Sequence, residues 1–436
     1  MTLQFIDLFA GIGGFRFALE ELGHRCVGYS EIEKNAIQVY KSNFDTDSES
    51  NLGDITEICS LPAHDLLVGG VPCQSWSIAG KNRGLEDERG QLWNDVIRLV
   101  DHSRPKAFIF ENVKGLIDPR HRECLESILS SFKSLGYRTH YKLLNSYDFG
   151  LAQNRARVFI VGTHEEFTTN EFHWPTPTDE HQRLYEVFDK IRKPKKAGRF
   201  VPMGRDLAGN RINPGFNKLI SKGQNNPFFV LTDIRNGPTS IHSWDIYETT
   251  AREREICMVI LKNRRKSMYG DCDGNPMGFQ DIKALMPDLK KAELDQLVMM
   301  NILRKYEENG KYEFFNRRLS SGIDGVCRIY LPDCTFFSTL TATGSKDFVA
   351  TKGVSDCSPE NYRDTFVREI LQPGHYRSLS DSEAASLQGF PDFFVKHENP
   401  SQTKRLLGNA VSPPVVKAIA EQLALTGVFS GSLVNA

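Results

Sequence analysis

The feature that most constrains this chain is its first segment, in which an apolar stretch, a glycine cluster and an amphipathic stretch follow one another. Residues 3–9 (LQFIDLF) have the length and composition of a short buried strand, and AGIGG follows at once. From Phe15 to Leu22 the apolar residues recur at helical spacing, and Gly23 is a typical end signal. A strand, a tight turn and a helix in this order predict the first unit of a parallel α/β sheet.

Strand-like and helix-like segments continue to alternate as far as the strand 157–163. This alternation predicts a Rossmann-like α/β domain with a mixed, mostly parallel sheet that helices cover on both faces. Ligands of such folds bind beyond the carboxyl ends of the strands. The other predicted strands are 26–30, 64–70, 107–113 and 137–144, with helices at 33–43 and 121–135. The residues with catalytic or binding chemistry follow strand ends, at 10–14, 31, 54, 71–77 and 111–113.

The pattern changes near residue 170. From there the chain is rich in prolines, turns and short β-prone pieces, with a helical stretch expected at 281–308. Helical patterns at 380–390 and 413–425 then return to the earlier style. We therefore expect a catalytic and cofactor-binding domain at 1–170, a smaller turn-rich domain at 171–375, and a return at 376–436 that completes the first domain.

The glycine turn and two acidic residues favour a nucleoside-like ligand. A dinucleotide fingerprint G-x-G-x-x-G that starts at Gly11 needs a third glycine where this chain has Arg16. Glu31 follows the second predicted strand, where an acidic side chain can accept hydrogen bonds from ribose hydroxyls. Asp54, in GDIT, can accept one from an adenine amino group. These residues predict a nucleoside cofactor without a pyrophosphate, and the alternative is an α/β turn that binds nothing.

Cys73 lies in GVPCQSWS, a loop segment directly after the predicted strand 64–70. A cysteine thiolate is a strong carbon nucleophile, and a free cysteine has a pKa of about 8.5. A single cysteine is usually a small buried apolar residue. Here proline and polar residues flank the thiol at the edge of the sheet where ligands bind, so we interpret Cys73 as a nucleophile.

Two further motifs place polar groups at strand ends. Glu111 ends the apolar strand AFIFENV, so its carboxyl group should be desolvated enough to hold a proton and donate it to a ring nitrogen. A helix cap or a salt bridge is the alternative. Gln153, Arg155 and Arg157 alternate along QNRAR and should face the same way. The two guanidinium groups either bind a base carbonyl and a phosphate or form an ordinary surface pair.

Composition adds one basic segment and several exclusions. The formal net charge is −1, so overall charge does not indicate a nucleic-acid partner. Residues 190–222 nevertheless carry ten Lys or Arg and one Asp, a local charge of +9 that suits either phosphate contacts or a solvated loop. The nine cysteines include no C-x-x-C pair, so we expect reduced thiols, a cytoplasmic location and no metal. The start of the chain lacks a signal-peptide pattern, and no apolar run predicts a membrane span.

Taken in order, these motifs resemble the cytosine-C5 DNA methyltransferase family of bacterial restriction–modification systems. PCQ, ENV and Q-x-R-x-R in this order are together highly specific, and the resemblance covers roughly residues 1–165 and 377–425. The stretch 171–335 aligns with no family motif. The matching segments are DLFAGIGG, Glu31, GDIT, GVPCQSWS, GKNRGLEDERGQL (80–92), ENV, QNRAR, RSLSDSEAASLQGFP (377–391) and GNAV (408–411).

The resemblance implies an S-adenosylmethionine-dependent methyltransferase domain, a target-recognition domain at 171–375 and a C-terminal segment that packs back on the first domain. S-adenosyl-L-methionine would be the cofactor and S-adenosyl-L-homocysteine the product. Cys73 would be the nucleophile, and Glu111 would engage the N3 side of the cytosine ring. Arg155 and Arg157 would orient the nucleophile and the base. The cofactor-binding residues would be Phe9, Gly11, Gly13, Gly14, Glu31, Asp54, Ile55, Pro72, Leu92, Asn409 and Ala410.

Three smaller points follow from the same resemblance. Residues 72–92 would form the loop that closes over DNA. Thr339 and Leu340 resemble the threonine-leucine pair that ends the recognition domain of the family. Ile32 stands where some members have an aromatic residue, so cofactor packing should differ there.

The sequence therefore predicts an enzyme that methylates C5 of a flipped-out cytosine in double-stranded DNA. We expect a cytoplasmic bacterial or phage monomer whose methylation protects DNA from a cognate restriction endonuclease encoded nearby. An RNA cytosine methyltransferase with the same catalytic residues is the closest alternative. A silent DNA-binding module and a dehydrogenase are the others. Neither the recognised DNA sequence nor the group that removes the C5 proton follows from the residues.

Overall fold

In the computed structural model of the chain, the described residues are 2–47, 49–72, 92–188, 228–231, 240–272, 274–315, 326–343, 346–355 and 361–430. The strands are β1 (Gln4–Leu8), β2 (Arg25–Ser30), β3 (Leu66–Gly70), β4 (Ala107–Val113), β5 (Tyr137–Asn145), β6 (Gln153–Asn154), β7 (Ala156–His164), β8 (Phe228–Leu231), β9 (Ser240–Ile241), β10 (Leu303–Lys305), β11 (Tyr312–Phe314), β12 (Arg328–Tyr330), β13 (Phe337–Ser338), β14 (Asp347–Ala350) and β15 (Tyr376–Ser378).

The helices alternate with these strands. They are α1 (Gly14–Glu21), α2 (Lys34–Asn43), α3 (Leu92–Ser103), α4 (Arg122–Ser134), α5 (Leu184–Val187), α6 (Ser243–Ile246), α7 (Ala251–Asn263), α8 (Phe279–Leu285), α9 (Lys291–Met299), α10 (Tyr362–Phe366), α11 (Asp381–Gln388), α12 (Pro400–Asn409) and α13 (Pro413–Ala424). Short 3₁₀ turns occur at Lys114–Ile117, Pro119–His121, Ser146–Phe149 and Ser267–Tyr269, and a π-helical turn at Val367–Leu371.

The central sheet contains, within the described residues, six strands in the order β2-β1-β3-β4-β7-β5. β1 pairs in parallel with β2 and with β3, and β3 pairs in parallel with β4. β7 runs antiparallel to both β4 and β5. All the strands except β7 therefore share one direction, which confirms the predicted mixed, mostly parallel α/β sheet.

Helices cover both faces of this sheet because successive strand residues point to opposite sides. Phe5 of β1 lies in an apolar cluster with residues of α1 and α13, on one face. Ile6, the next residue, lies in the cluster that α3 and α4 complete on the other face. The C-terminal helix α13 thus belongs to the same layer as the first helix, as the resemblance implied.

The described chain divides into two compact units. The first comprises Met1–Arg183, Phe336–Gly344 and Ser380–Ala436, and the second comprises Leu184–Thr335 and Ser345–Leu379. The first unit thus extends beyond the expected limit at residue 170. Phe172 packs in its core, and His181 stacks on Tyr147 with ring centroids 4.2 Å apart. The target-recognition role of the second unit remains a prediction.

The second unit contains a sheet in the order β15-β14-β12-β8-β9 and, between β9 and β12 in the chain, a helical region. The single helical stretch predicted at 281–308 is wrong in detail. The structure has α8, a turn, α9 and the strand β10 instead. Pro287 lies in the turn, where it disfavours helix at the residue before it, and Leu303 pairs with Phe314 of β11.

No helix in the described ranges is long and apolar enough to cross a membrane. Cys73, most of the 72–92 loop and the basic segment 190–222 lie outside the described residues. The sequence-based predictions for them remain predictions.

Candidate active site

The glycine loop between β1 and α1 is built for close backbone contacts. Gly13 has φ +85°, and a Cβ there would lie 2.2 Å from the Phe44 ring. A Cβ at Gly14 would lie 2.6 Å from the Val411 carbonyl oxygen, so the loop packs directly against the C-terminal GNAV segment. At Gly11, with φ +57°, a Cβ would meet nothing nearer than the Phe9 carbonyl oxygen at 3.9 Å. Protein atoms therefore fill the space beside Gly13 and Gly14, whereas the space beside Gly11 is open.

Glu31, at the end of β2, is bound to this loop. Its Oε2 accepts the Gly11 N–H at 2.8 Å, and its Oε1 accepts the N–H groups of Ile32 and Glu33, each at 2.8 Å. A carboxylate has about four lone-pair sites, so three backbone bonds leave room for a further donor. The carboxylate thus fixes the loop and remains able to accept a ligand hydroxyl.

Asn51 is a residue that sequence reasoning missed. Its Oδ1 accepts the N–H groups of Glu31 and Gly53, both at 3.1 Å, and its Nδ2 donates to the Glu31 carbonyl at 2.9 Å. One amide therefore joins the end of β2 to the turn that carries Asp54. Asparagine is common in turns, so the residue type alone gave no signal for this bridging role.

The turn after Asn51 carries the second predicted acidic residue. Asp54 Oδ1 accepts from both the backbone N–H and the hydroxyl of Thr56, each at 2.9 Å. Ile55 is buried, and its carbonyl accepts from Arg98 Nη2 of α3 at 2.9 Å. Phe9, half-buried with φ +52°, directly follows β1. The structure thus places Phe9 and Glu31 directly after β1 and β2, and Asn51 joins Glu31 to the turn that holds Asp54 and Ile55.

These residues fit a nucleoside. The open backbone at Gly11 provides a cradle, Glu31 provides an acceptor for hydroxyl groups, and the Ile32 side chain is 66% exposed directly beside Glu31. An exposed aliphatic side chain next to a polar cradle suits the flat face of a base. Among the described residues, no group of His, Cys, Asp or Glu side chains is arranged as a metal site.

Arg16, which replaces the third glycine of a dinucleotide fingerprint, is buried below the loop. Its Nη1 lies 2.5 Å from Glu49 Oε2 and its Nη2 lies 3.0 Å from Glu49 Oε1. The guanidinium also lies over the Phe44 ring, 4.5 Å from its centroid. The Arg16 side chain thus packs the first helix against Phe44 and the segment after α2.

The chain that leads into Cys73 is anchored beside Glu111. Gly70, the last residue of β3, pairs with Glu111 of β4. The Val71 N–H donates to the Glu111 carbonyl at 3.1 Å, and Asn112 Nδ2 donates to the Val71 carbonyl at 3.4 Å. Pro72, half-buried, is the last described residue before the loop. Cys73 itself lies outside the described residues, two positions beyond Val71 in the chain.

Glu111 is buried and paired with Arg157. Arg157 Nε on β7 lies 3.0 Å from Glu111 Oε1, and the Glu111 residue is 8% exposed. Burial raises the pKa of Glu111, while the positive charges of Arg157 and Arg155 partly oppose the rise. The net direction is upward, so the carboxyl group keeps a proton more readily than a solvated glutamate. Of the sequence alternatives, the salt bridge is present, and the role of Glu111 as a proton-holding acid remains a prediction.

Gln153, Arg155 and Arg157 of QNRAR take three different sets of partners. Gln153 Nε2 donates to the Leu387 carbonyl at 3.0 Å, and Arg157 faces Glu111. The Arg155 side chain is buried, and its guanidinium donates to backbone carbonyls. The acceptors are the carbonyl oxygens of Leu340 at 3.1 Å, Gly408 at 3.2 Å and Ala410 at 2.7 Å. The predicted role of Arg155 in orienting the nucleophile and the base remains a prediction.

This buried network ties the C-terminal segment to the sheet. Gln388 of α11 donates to the Ala410 carbonyl at 2.6 Å and accepts from Gln153 at 3.0 Å. Thr339 donates through its hydroxyl to the Asn154 carbonyl at 2.6 Å, and β13 pairs with β6. The pair Thr339-Leu340 therefore belongs to the first unit. Gln388 was not predicted from the sequence, because only the folded chain brings it to Gln153.

Of the other predicted cofactor residues, Ala410 is buried and Asn409 is exposed. Leu92 is half-buried at the start of α3 and packs on the same apolar cluster as Phe9. Their contact with a cofactor remains a prediction.

Comparison with known proteins agrees with this arrangement. A family model described as C-5 cytosine-specific DNA methylase matches residues 3–424. The type II methyltransferase M.HgiBI of Herpetosiphon aurantiacus is 57% identical over 431 residues, which cover 99% of this chain and 98% of that protein. M.BanI of Aneurinibacillus aneurinilyticus, also a type II methyltransferase, is 33% identical over 443 residues, covering 97% of this chain and 96% of that protein.

A solved structure supports the fold alone. The S. pombe Dnmt2 methyltransferase matches with a TM-score of 0.52 and 15% identity, covering 98% of this chain and 98% of that one.

Proposed function

This chain belongs to the C-5 cytosine-specific DNA methylase family and methylates C5 of cytosine in DNA, and we propose which of its residues carry out the reaction. The observation that carries the proposal is the buried Glu111–Arg157 pair beside the backbone that leads into Cys73. A proton-holding acid and a nucleophile on adjoining strand ends are the two groups that addition to a pyrimidine ring requires.

We propose S-adenosyl-L-methionine as the cofactor, held between the glycine loop and the ends of β2 and β3. When bound, it supplies the electrophilic methyl group that C5 of the cytosine takes. Glu31 would accept from the ribose hydroxyls, and Asp54 would accept from the adenine amino group. The proposed contact set is Phe9, Gly11, Gly13, Gly14, Glu31, Asp54, Ile55, Pro72, Leu92, Asn409 and Ala410.

Replacing Glu31 with glutamine should raise the dissociation constant for S-adenosyl-L-methionine about tenfold or more. A charged acceptor is lost, at about 1.5–3 kcal/mol for a hydrogen bond to a charged group, and the new NH₂ group faces backbone donors. Calorimetric titration of the purified protein with the cofactor measures the effect. Glu57→Gln, at an exposed position after Asp54, is the matched control and should bind as wild type. Wild-type affinity in Glu31→Gln would remove Glu31 from the cofactor site.

The protein residues act in a defined order in this mechanism. The target cytosine must leave the duplex stack, which costs a few kcal/mol. The Cys73 thiolate then adds to C6, forming a C–S bond and moving the ring electrons toward C5. Glu111 holds a proton at the N3 side of the ring, and Arg157 fixes the Glu111 carboxyl. After methylation a base removes the C5 proton, the C–S bond breaks and the thiolate is restored.

Replacing Glu111 with glutamine should slow single-turnover methyl transfer about 10²- to 10³-fold while DNA affinity stays within about threefold. The amide fills the same space but carries no acidic proton. In the wild type the active form is the protonated acid, so this contribution is present below the raised pKa of Glu111 and is lost as pH rises through it. The methyl-transfer rate of Glu111→Gln should lack this fall at high pH. The exposed Glu123→Gln serves as a control and should keep it. Parallel losses of rate and affinity in Glu111→Gln would indicate a structural role only.

A covalent trap tests the whole proposal. The protein and S-adenosyl-L-methionine are incubated with mixed-sequence duplex DNA in which 5-fluorocytosine replaces cytosine, and the products are separated on a denaturing gel. Fluorine cannot leave C5 as a proton does, so a cysteine–DNA adduct accumulates. An RNA duplex with the same substitution should give none. An adduct on RNA alone would favour the RNA methyltransferase alternative, and no adduct on either would contradict the nucleophile assignment.

The relatives support a proposal for the cellular role. M.HgiBI and M.BanI are type II methyltransferases, the class that accompanies restriction endonucleases. We propose that this chain protects double-stranded DNA from a cognate endonuclease in a bacterial or phage-infected cytoplasm, that it works as a monomer, and that its second unit selects the target sequence.

A further inference from the structure

The helical region of the second unit has an apolar core of its own. All buried members of this cluster lie between Trp244 and Phe314. They include Ile256 of α7, Ile282 of α8 and Leu294 of α9, each at 0–1% exposure. A core drawn from one continuous stretch of chain is typical of an inserted module that folds around itself.

The order of elements in this module is that of a winged helix. The helix α7 is followed by Met277, which forms an antiparallel bridge to Tyr312, and then by α8 and α9. The strands β10 and β11 close a hairpin through residues 306–311, where the Tyr306 N–H donates to the Lys311 carbonyl at 2.9 Å. Helix, strand, helix, helix, strand, wing and strand make a helix-turn-helix backed by a small sheet. In such modules the second helix of the motif is the one that enters a major groove.

The second helix of the motif, α9, has one buried and one exposed face. Leu294 and Leu297 are buried in the module core. The outward residues share a face about 140° wide at 3.6 residues per turn. This face consists of Lys291, Ala292, Asp295, Gln296 and Met299, of which Met299 is 76% exposed. The Asp295 carboxylate is already hydrogen-bonded within the module, because it accepts from the Tyr312 hydroxyl at 3.1 Å.

Two exposed lysines stand at the start of α9. Arg252 of α7 pairs with Glu293 at 2.9 Å, with Asp288 at 2.8 Å and with Glu255 at 2.9 Å, so its one positive charge offsets part of the charge of these carboxylates. Lys290 and Lys291 are exposed there, and within the described residues neither ammonium group forms a salt bridge. The positive end of the helix dipole adds to their charge. Glu307 and Glu308 are exposed on the wing, so the wing itself is unsuited to phosphate contact.

We propose that this module, residues 251–314, binds the substrate duplex by placing α9 in its major groove, with Gln296 reading a base and Lys291 contacting a phosphate. A glutamine amide pairs with the N6 and N7 edge of adenine, and a lysine at the start of the helix meets the backbone. The inference rests on the proposed function, in which double-stranded DNA is the substrate. It adds a base-reading element in the second unit.

Sequencing of 5-methylcytosine in the genome of a bacterial host that expresses the full chain defines the sites methylated by wild type and variants. In Gln296→Ala, site preference should relax at one base pair, and affinity for a duplex with the wild-type site should fall about tenfold. In Lys291→Ala, affinity for any duplex should fall, and the slope of log affinity against log salt should shrink by about one. Lys262→Ala, on α7 of the same module, is the control and should change neither.

The outcomes separate this inference from the proposed function. The inference would be overturned if the wild type methylates DNA, Gln296→Ala keeps the wild-type site preference and affinity, and Lys291→Ala keeps the wild-type salt slope. Failure of the wild type to methylate DNA would instead overturn the proposed function, and the salt slope on mixed-sequence duplex would still test α9. Each substitution replaces an exposed side chain with alanine, a good helix former, so folding should survive. Thermal unfolding verifies this.

Discussion

Cys73→Ser should reduce methyl transfer by on the order of 10³-fold or more, because a neutral hydroxyl is a far weaker carbon nucleophile than a thiolate. Cofactor affinity should stay at the wild-type value, since the proposed cofactor site consists of the glycine loop and Glu31 rather than Cys73. Single-turnover transfer of a tritiated methyl group to duplex DNA measures the rate. Calorimetric titration measures the affinity.

The control for this prediction is Cys59→Ser, at an exposed cysteine in the same unit. It should retain full activity. A Cys73→Ser rate within tenfold of the wild type would exclude Cys73 as the attacking group and leave the Glu111–Arg157 pair without its proposed partner.

Arg155→Ala should destabilise the first unit by about 3–5 kcal/mol, visible as a lower midpoint in denaturant or thermal unfolding. The reason is geometric. One buried guanidinium satisfies the carbonyls of Leu340, Gly408 and Ala410, and alanine leaves all three without this donor. Arg155→Lys should recover little of the lost stability, because a single ammonium group cannot reproduce the planar set of N–H donors of a guanidinium group.

Arg104→Ala is the matched control, since this half-exposed arginine also donates to backbone carbonyls, those of Asp101 and Leu135. Solvent replaces the lost bonds there, so the change should stay within about 0.5 kcal/mol. Arg155→Ala with wild-type stability but lost activity would instead support the role in catalysis that the family resemblance implied.

Local sequence pattern was sufficient to predict most of the first unit. The strand predicted at 107–113 is β4 with the same bounds, and the helix predicted at 121–135 is α4 within one residue. Apolar runs and glycine turns encode these elements because each run is buried between two helix layers. The family resemblance then supplied the site residues, and the structure brings Glu111 and Arg157 together as paired side chains.

Local sequence pattern could not predict the contacts between residues that lie far apart in the chain. Nothing near Phe336 indicates that the chain returns there to pair β13 with β6 in the first unit. Alternation along QNRAR suggested a common direction for its polar residues, yet Arg155 turns to carbonyls more than 180 residues away. In the second unit, the apolar spacing at 281–308 suited a long helix, and only the pairing of β10 with β11 shows where the helix must end.

The packing of α13 against α1 has a consequence for how the protein is made. Lys417 pairs with Glu21 at 2.5 Å across 396 residues, and Gly14 lies directly against Val411. At a synthesis rate of about 5–20 residues per second, α13 is made roughly 20 to 80 s after the glycine loop. Until α13 has been made, the apolar face of α1 that it covers is exposed to solvent and to chaperones. We therefore expect methylating activity only in molecules whose translation has passed residue 424, the end of α13.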